Sequence, residues 1–354
     1  VNAGNVLRED LRNILERRPA IWRELRGKSL FITGGTGWFG RWLLEAIAQA
    51  NNQLGTDIRV TLLSRSPANF ARQAPHLATA PFLTVHAGDV RNFTFPSGRF
   101  SHVIHAATTS ARETFTGESG LGKFDTLVQG TRQVLNFATT CGAENVLFTS
   151  SGVAYGTSPD GINYREDASS SPDTSNPDTA LGQAKRAAEF LCSAYAAQHG
   201  WSLSIARCFS FVGPFMPMDL HYAIGDFITQ ARHGEAIIIK GDGTPVRSYL
   251  YAADLVVWLL ALLTRPGQPR IFNVGSDVGI TLGELGQLVR NTINPGGEVR
   301  ILGQAAYSIG NPVRNCYLPN IDRARSELEL DIWTPLGPAI KRTVCALAIN
   351  SDQP

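Results

Sequence analysis

The stretch Thr33-Gly34-Gly35-Thr36-Gly37-Trp38-Phe39-Gly40 follows a short apolar run and opens an apolar-periodic one. The run before it, Ser29-Leu30-Phe31-Ile32-Thr33, suits a buried parallel strand, and Trp38 through Ala50 sets Phe39, Leu43, Leu44 and Ile47 at helical intervals. A glycine-rich turn in that setting reads as a phosphate-binding turn. Some of its glycines permit positive φ, some let backbone N–H groups approach a pyrophosphate, and one lets the helix pack close to the strand. The helix start adds the positive end of its dipole. In a chain with 34 glycines the pattern alone says little. Here it fits both Gly35-x-Gly37-x-x-Gly40 and Gly34-x-x-Gly37-x-x-Gly40 between strand and helix, which predicts a dinucleotide site rather than a plain connector.

Working outward, candidate strands at 29–33, 58–63, 82–85, 102–105, 145–149 and 202–207 alternate with helices that include 38–50, 121–140 and 180–199. That alternation predicts an α/β fold with a doubly wound parallel (Rossmann) sheet and ligands at the carboxyl ends of its strands. Before it, Val6, Leu7, Leu11, Ile14, Leu15, Trp22 and Leu25 recur amphipathically, with a break at Pro19. Residues 1–27 thus read as a helical extension that covers one side of the sheet or a subunit contact. Residues 156–180 turn to Ser, Pro, Asp, Thr and Asn, the composition of a loop and often of an active-site loop. Beyond Gly213-Pro214 come a strand-like 236–240, helical 252–264 and 281–292, and a turn-rich 294–320. The expected division is an extension at 1–27, a dinucleotide-binding domain at 28–210, and a smaller C-terminal substrate lobe at 211–354, some segments of which return to the first domain.

At 354 residues, 43% hydrophobic and 18% charged, the composition is that of a globular enzyme and excludes disordered and collagen-like classes. A net charge of only +2 argues against a nucleic-acid-binding surface and for a small-molecule partner. Cys141, Cys192, Cys208, Cys316 and Cys345 lack metal-ligand spacing, so reduced thiols in a cytosolic protein and no metal are expected. The longest apolar run, Leu255 to Leu263, is too short to span a bilayer, and Val1-Asn2-Ala3-Gly4 lacks a basic start. A cytoplasmic protein with no membrane role is the expectation.

Further motifs follow the glycine turn in order: Gly88-Asp89-Val90, His105-Ala106-Ala107, Gly130-Thr131, Ser150-Ser151-Gly152-Val153-Ala154-Tyr155-Gly156, Gly182-x-x-Lys185, Arg207-x-Phe209, Val212-Gly213-Pro214, Arg247-Ser248-Tyr249 with Asp254, and Phe272-Asn273-Val274-Gly275. With them the chain, from about residue 28 on, resembles the extended short-chain dehydrogenase/reductase family of nucleotide-sugar epimerases, dehydratases and ketoreductases. The resemblance implies cofactor contacts from Gly34, Gly37, Trp38, Phe39, Gly40, Ala106 and Ala107, and adenine contacts from Asp89 and Val90. Family chemistry pairs a Tyr with a Lys four residues later on one helix face, plus a Ser or Thr at a strand end. The Lys holds the nicotinamide ribose and lowers the Tyr pKa, so that the phenolate exchanges a proton with a sugar hydroxyl or carbonyl.

Lys185 and Ser151 match two of these positions, but the Tyr position holds Leu181, which cannot transfer a proton. Another acid, or water, must replace it, or that chemistry is absent. By neighbourhood the candidates are Tyr155, Tyr164, His105 and Glu113, although Tyr155 is normally a substrate-contacting or structural residue and His105 more often packs beneath the cofactor. Ser151 could hydrogen-bond a substrate oxygen or merely cap its strand. Leu127 stands where the family usually has Asn, three residues before Gly130. Gly152 and Val153 stand where 4,6-dehydratases carry Asp-Glu, which argues against dehydration.

Cofactor choice is read at the end of the second strand, where an acidic side chain would bind the adenosine ribose and repel a 2′-phosphate. Ser64 and Arg65 stand there instead, and a guanidinium suits a phosphate, so NADP(H) is favoured over NAD(H). By resemblance, Arg247 and Arg314 grip a nucleotide diphosphate, Tyr155 and Ser151 meet the substrate, and Ser210 replaces a frequent Asn. The implied partner is a nucleotide-diphosphate sugar, and 121–140 with 180–199 are where family members form a four-helix homodimer contact. A ketoreductase or epimerase is expected, with an inactive binding protein as the rival.

Overall fold

Alternate residues of the first strand enter different cores: Leu30 and Ile32 join one buried cluster and Phe31 the other. A strand buried on both faces belongs in a covered parallel sheet. The computed structural model describes residues 3–108, 119–157, 163–218, 220, 222–303 and 316–347. In chain order its strands are β1 (Ser29–Thr33), β2 (Arg59–Ser64), β3 (Leu83–Ala87), β4 (His102–His105), β5 (Asn145–Ser151), β6 (Ser202–Cys208), β7 (Phe211–Val212), β8 (Ile237–Ile239), β9 (Val246–Arg247), β10 (Leu250–Tyr251), β11 (Arg270–Val274), β12 (Ile280–Thr281), β13 (Val299–Ile301) and β14 (Cys316–Tyr317). The central seven-stranded sheet runs β11-β6-β5-β4-β1-β2-β3 with every neighbouring pair parallel. Strand order reverses between β1 and β4, and at such a switch point the strand ends part to leave a crevice.

The helices are α1 (Ala3–Arg17), α2 (Pro19–Glu24), α3 (Trp38–Leu54), α4 (Pro67–Gln73), α5 (Pro75–Ala78), α6 (Gly120–Cys141), α7 (Ala180–His199), α8 (Ala223–Arg232), α9 (Ala252–Thr264), α10 (Leu282–Ile293), α11 (Asp322–Leu328) and α12 (Leu336–Leu347). One sheet face packs on α3 and α9, the other on α6 and α7. All but the last residue of α9 is buried, which accounts for the apolar run at 255–263 without any bilayer. No helix among the described residues is long and apolar enough to cross a membrane.

Pro19 opens α2 rather than interrupting one long helix, as its fixed φ and missing N–H favour at a first helical position. Within the extension, α1 packs against α3, α9 and α12. Its buried Asp10 accepts hydrogen bonds from the Tyr251 hydroxyl at 2.6 Å and from Arg342 Nη1 at 2.9 Å. Arg17 donates at 2.7 Å to Asp254, whose carboxylate also takes the backbone N–H groups of Trp333 and Thr334. Every partner needed for these buried carboxylates comes from an element distant in sequence.

Strand β11 falls within 211–354 yet forms one edge of the central sheet. Its Asn273 is wholly buried, accepting the Tyr155 hydroxyl at 2.7 Å and donating to the carbonyls of Tyr164 (2.7 Å) and Asn320 (3.0 Å). A buried polar residue one place before its end hides this strand from a search for apolar runs.

Candidate active site

Gly34 follows β1 at φ +74°, and a Cβ there would lie 2.4 Å from the backbone carbonyl of Ala106, just past β4. Only glycine lets the β1 and β4 strand ends approach this closely. At Gly40 a Cβ would stand 2.0 Å from Gly35 Cα, so Gly40 packs α3 onto the turn rather than facing a ligand. Gly37 is different: its φ of −81° suits any residue, and a Cβ would meet only the Gly34 carbonyl oxygen, at 3.3 Å. It caps α3 with its open side toward the crevice.

From this turn a cavity of about 1150 Å³ extends along the strand ends to the C-terminal segments. That exceeds the ~300–1,000 Å³ usual for a small-ligand pocket. Gly34, Gly37, Trp38, Phe39, Ala106 and Ala107 line its middle. Ser64, Arg65, Asp89 and Val90 line one end, while Ser151, Leu181, Lys185, Ser210 and Arg247 line the other. The structure therefore brings nearly all of the sequence-selected positions into one crevice.

Lys185 is the best-defined polar group in it. The side chain is 5% exposed, and Nζ donates at 2.8 Å to the Thr149 carbonyl while lying 5.0 Å above the Phe148 ring. Burial pulls its pKa down to about 8. One carbonyl uses one of three N–H donors, so a buried ammonium faces the cavity ready for hydroxyl acceptors. One turn earlier on α7, Leu181 presents only methyls.

Three of the four neighbourhood candidates for a proton donor are among the described residues, and none of the three lines the cavity. His105 is 2% exposed and bonded on both ring nitrogens, to Thr33 Oγ1 at 2.8 Å and Thr131 Oγ1 at 3.0 Å; burial pulls its pKa down to about 3 and holds it neutral. Thr33 Oγ1 also accepts the Ala107 N–H at 3.2 Å, so this histidine braces the turn between β1 and β4. Tyr155, expected to meet substrate, is wholly buried and absent from the cavity lining; its hydroxyl is spent on Asn273 and Arg207 lies 4.3 Å over its ring. Burial pushes its phenol up to about 12. Tyr164 donates to the Gly156 carbonyl and stacks on Tyr155 at 5.0 Å. Glu113 and Arg314 lie outside the described residues.

Beneath Ser151, the buried Glu189 takes both Arg207 Nε at 2.9 Å and Nη2 at 2.6 Å, along with the Ser150 hydroxyl. Such a doubly bonded pair fixes the end of β5. Ser151 Oγ accepts the Val153 N–H at 3.3 Å, an end cap that leaves its own proton to donate. At the opposite end Arg91, which pattern reading passed over, also lines the cavity and holds Asp89 through Nε at 2.8 Å and Nη2 at 3.1 Å. That pairing, ahead of a smaller effect from Arg65, keeps the Asp89 carboxyl below the usual range. Tyr249 of the Arg247-Ser248-Tyr249 motif lines the cavity too, as do Tyr222 and Tyr317, which no local motif marks. The indoles of Trp38 (2.7 Å) and Trp42 (3.0 Å) both donate to the Pro214 carbonyl, tying α3 to the segment that enters the lobe.

Residues 30–275 match the family model described as the NAD dependent epimerase/dehydratase family. The chain belongs to that family. Among curated relatives, it is 25% identical over 344 residues to UDP-glucuronic acid decarboxylase 1 of Xenopus tropicalis, covering 96% of this chain and 78% of that one. It is 29% identical over 276 residues to UDP-glucuronic acid decarboxylase 6 of Arabidopsis thaliana, covering 77% and 76%. Among solved structures, the UDP-glucuronic acid 4-epimerase of Bacillus cereus, in complex with UDP-glucuronic acid and NAD, superposes with a TM-score of 0.75 at 17% identity over 91% of this chain and 99% of that one. The UDP-glucose 4-epimerase of Thermotoga maritima gives 0.74 at 17% identity over 92% and 100%. The two superpositions establish the shared fold, a parallel sheet wound on both faces.

Proposed function

We propose that this epimerase/dehydratase-family chain is an enzyme that binds NADP(H) in preference to NAD(H) and acts on a nucleotide-diphosphate sugar by hydride exchange at a ring carbon. The observation that carries the reading is the single cavity that joins the glycine turn, the buried Lys185 ammonium and Arg247. The residues fit a dinucleotide: Gly37 and the α3 start would take the pyrophosphate, Lys185 a ribose, and Ser64 with Arg65 the adenosine end. When bound, the nicotinamide supplies a reversible hydride acceptor. The chain's own residues then orient the sugar, exclude water and move one proton. Arg247 would grip the diphosphate, and Ser151 would hydrogen-bond the reacting oxygen.

Named relatives that act on UDP-sugars support a uridine nucleotide as the substrate handle. Gly152 and Val153 leave no acid pair for dehydration, which favours epimerisation or carbonyl reduction. A second reading, a sugar-nucleotide-binding protein without turnover, is favoured by Leu181 and Leu127 together. A homodimer is also proposed: α6 and α7 pack on each other and leave Leu121 (79% exposed) and Phe190 (71% exposed) uncovered. Sedimentation should show a dimer, and a concentration-independent monomer would remove that part.

The test is nuclear magnetic resonance of UDP-sugars added to the purified protein with NADP or NADPH. New sugar resonances support the enzyme. Sugar nucleotides that bind and never change favour the second reading, and no binding of any of them rejects both.

A further inference from the structure

The side chain at 181 lacks a hydroxyl, and the buried Tyr155, Tyr164 and His105 are committed to wall partners. Of the tyrosines that line the cavity among the described residues, Tyr222 is 46% exposed, and Tyr249 is so deeply buried that its phenol is held well above the usual range. Tyr317 is differently placed. Its ring packs on Phe209 at 4.7 Å and edge-on to Tyr164 at 6.1 Å, which fixes the direction of the phenol. The hydroxyl reaches Gly152, the residue after Ser151: a Cβ built there would stand 2.5 Å from it. A glycine at 152 is therefore what admits the phenol beside the serine.

Register supplies the second coordinate. β14 pairs in parallel with β9 so that Tyr317 stands opposite Arg247. A nucleotide sugar whose diphosphate is held by Arg247 would thus carry its sugar ring past Tyr317 toward Ser151 and Lys185, all on one cavity wall system. We propose, resting on the sugar-nucleotide reading of this site, that Tyr317 is the catalytic acid and base that replaces the missing tyrosine at 181.

The step balances with the groups named. In the oxidising direction the ring C–H bond would break with its electron pair leaving as hydride, which a dinucleotide held at the glycine turn and Lys185 would accept. The O–H bond of the same carbon breaks and its proton passes to the Tyr317 phenolate, which becomes the phenol. On reduction the phenol returns that proton to the carbonyl oxygen and the phenolate is restored. An epimerisation built from the two half-steps consumes no net proton.

The experiment compares wild type, Tyr317→Phe, Leu181→Tyr and the double variant, with UDP-glucose and UDP-glucuronic acid as probes. Sugar-nucleotide affinity is measured by calorimetry without turnover. In parallel, the Tyr317 Cζ resonance of tyrosine-labelled protein, assigned by its loss in Tyr317→Phe, is followed on addition of probe. The expected outcome is a shift of that resonance, probe affinity within about threefold of wild type in Tyr317→Phe, and a kcat loss of about 10²–10⁴-fold. The ionisation that limits kcat at low pH should vanish with the hydroxyl, and Leu181→Tyr should restore at least tenfold in the Tyr317→Phe background. Gly152→Ala, which crowds both the hydroxyl and the Phe209 ring, should lower kcat in the same direction. The proposal is overturned if Tyr317→Phe keeps kcat within threefold, or if affinity falls as far as kcat. It is also overturned if wild type binds probe without converting it while Leu181→Tyr converts it. Absence of probe binding in every variant would instead overturn the sugar-nucleotide reading, and the proposal with it.

Discussion

Replacing Gly34 and Gly37 by alanine, one at a time, separates the part of the glycine turn that holds the fold from the part that would hold a phosphate. Gly34→Ala places an L-residue at φ +74° and a methyl 2.4 Å from the Ala106 carbonyl carbon and oxygen. The left-handed backbone costs ~1–2 kcal/mol. The overlap is with main chain at the end of a central strand, which cannot rotate away, so an overpacking cost of ~1–3 kcal/mol adds to it. The expected loss is about 2–5 kcal/mol, a large share of the ~5–15 kcal/mol of a typical native state. Gly37→Ala meets a much milder obstacle, a tight contact with the Gly34 carbonyl oxygen that a shift of a few tenths of an ångström relieves. Its φ is −81° and the nearest atom is 3.3 Å away. Only the weaker capping preference of alanine, about 1 kcal/mol, should be lost. Its methyl, however, enters the crevice where a pyrophosphate would meet the α3 start, and dinucleotide affinity should fall at least ~10-fold, ~1.4 kcal/mol. Urea unfolding followed by tryptophan fluorescence measures the first effect and calorimetry the second. Equal destabilisation by both substitutions, or undiminished affinity in Gly37→Ala, would refute the division of roles.

Arg65→Glu should lower NADP affinity by ~10-fold or more while leaving NAD within about threefold, because it exchanges a phosphate partner for a repelling charge; an unchanged ratio of the two affinities counts against Arg65 as the discriminator. Lys185→Met should weaken dinucleotide binding at least ~10-fold, again by calorimetry. Between about 8 in the folded chain and its ordinary 10.5, the unfolded state binds the extra Lys185 proton. Wild-type stability should therefore gain on that of Lys185→Met as pH rises through this window, and a flat difference would contradict the burial argument. Asp10 has the opposite sign: burial raises its carboxyl from 3.8 to about 6, so its contribution is full below pH 3.8 and lost as pH rises through 6. Denaturation of wild type against Asp10→Asn should show the difference falling across that range.

What could be read from the chain was whatever depends on local spacing. The turn at Gly34–Gly40, the alternation of strands and helices, and the one-turn relation of 181 to 185 are all short-range patterns, and each takes its expected place in the structure. Partners assembled across the fold were not readable. Tyr155 carries a motif that points to substrate, but its hydroxyl is claimed by Asn273 on a strand 118 residues later. Strand β11 is interrupted by that same buried asparagine. Tyr317 lies in a two-residue strand within a stretch read as turns, and its neighbours Gly152 and Arg247 come from two other segments. Arg91 follows the Gly88-Asp89-Val90 motif directly, and its spacing to Asp89 could have flagged it.

The most direct test of the central claim is a calorimetric titration of NADP, and then NAD, into the purified protein. The account predicts saturable binding at one site per chain, tighter for NADP, and abolished or greatly weakened by Gly37→Ala and Lys185→Met. A folded protein that binds neither dinucleotide would contradict it, and would leave the switch-point crevice without the ligand on which the proposed chemistry depends.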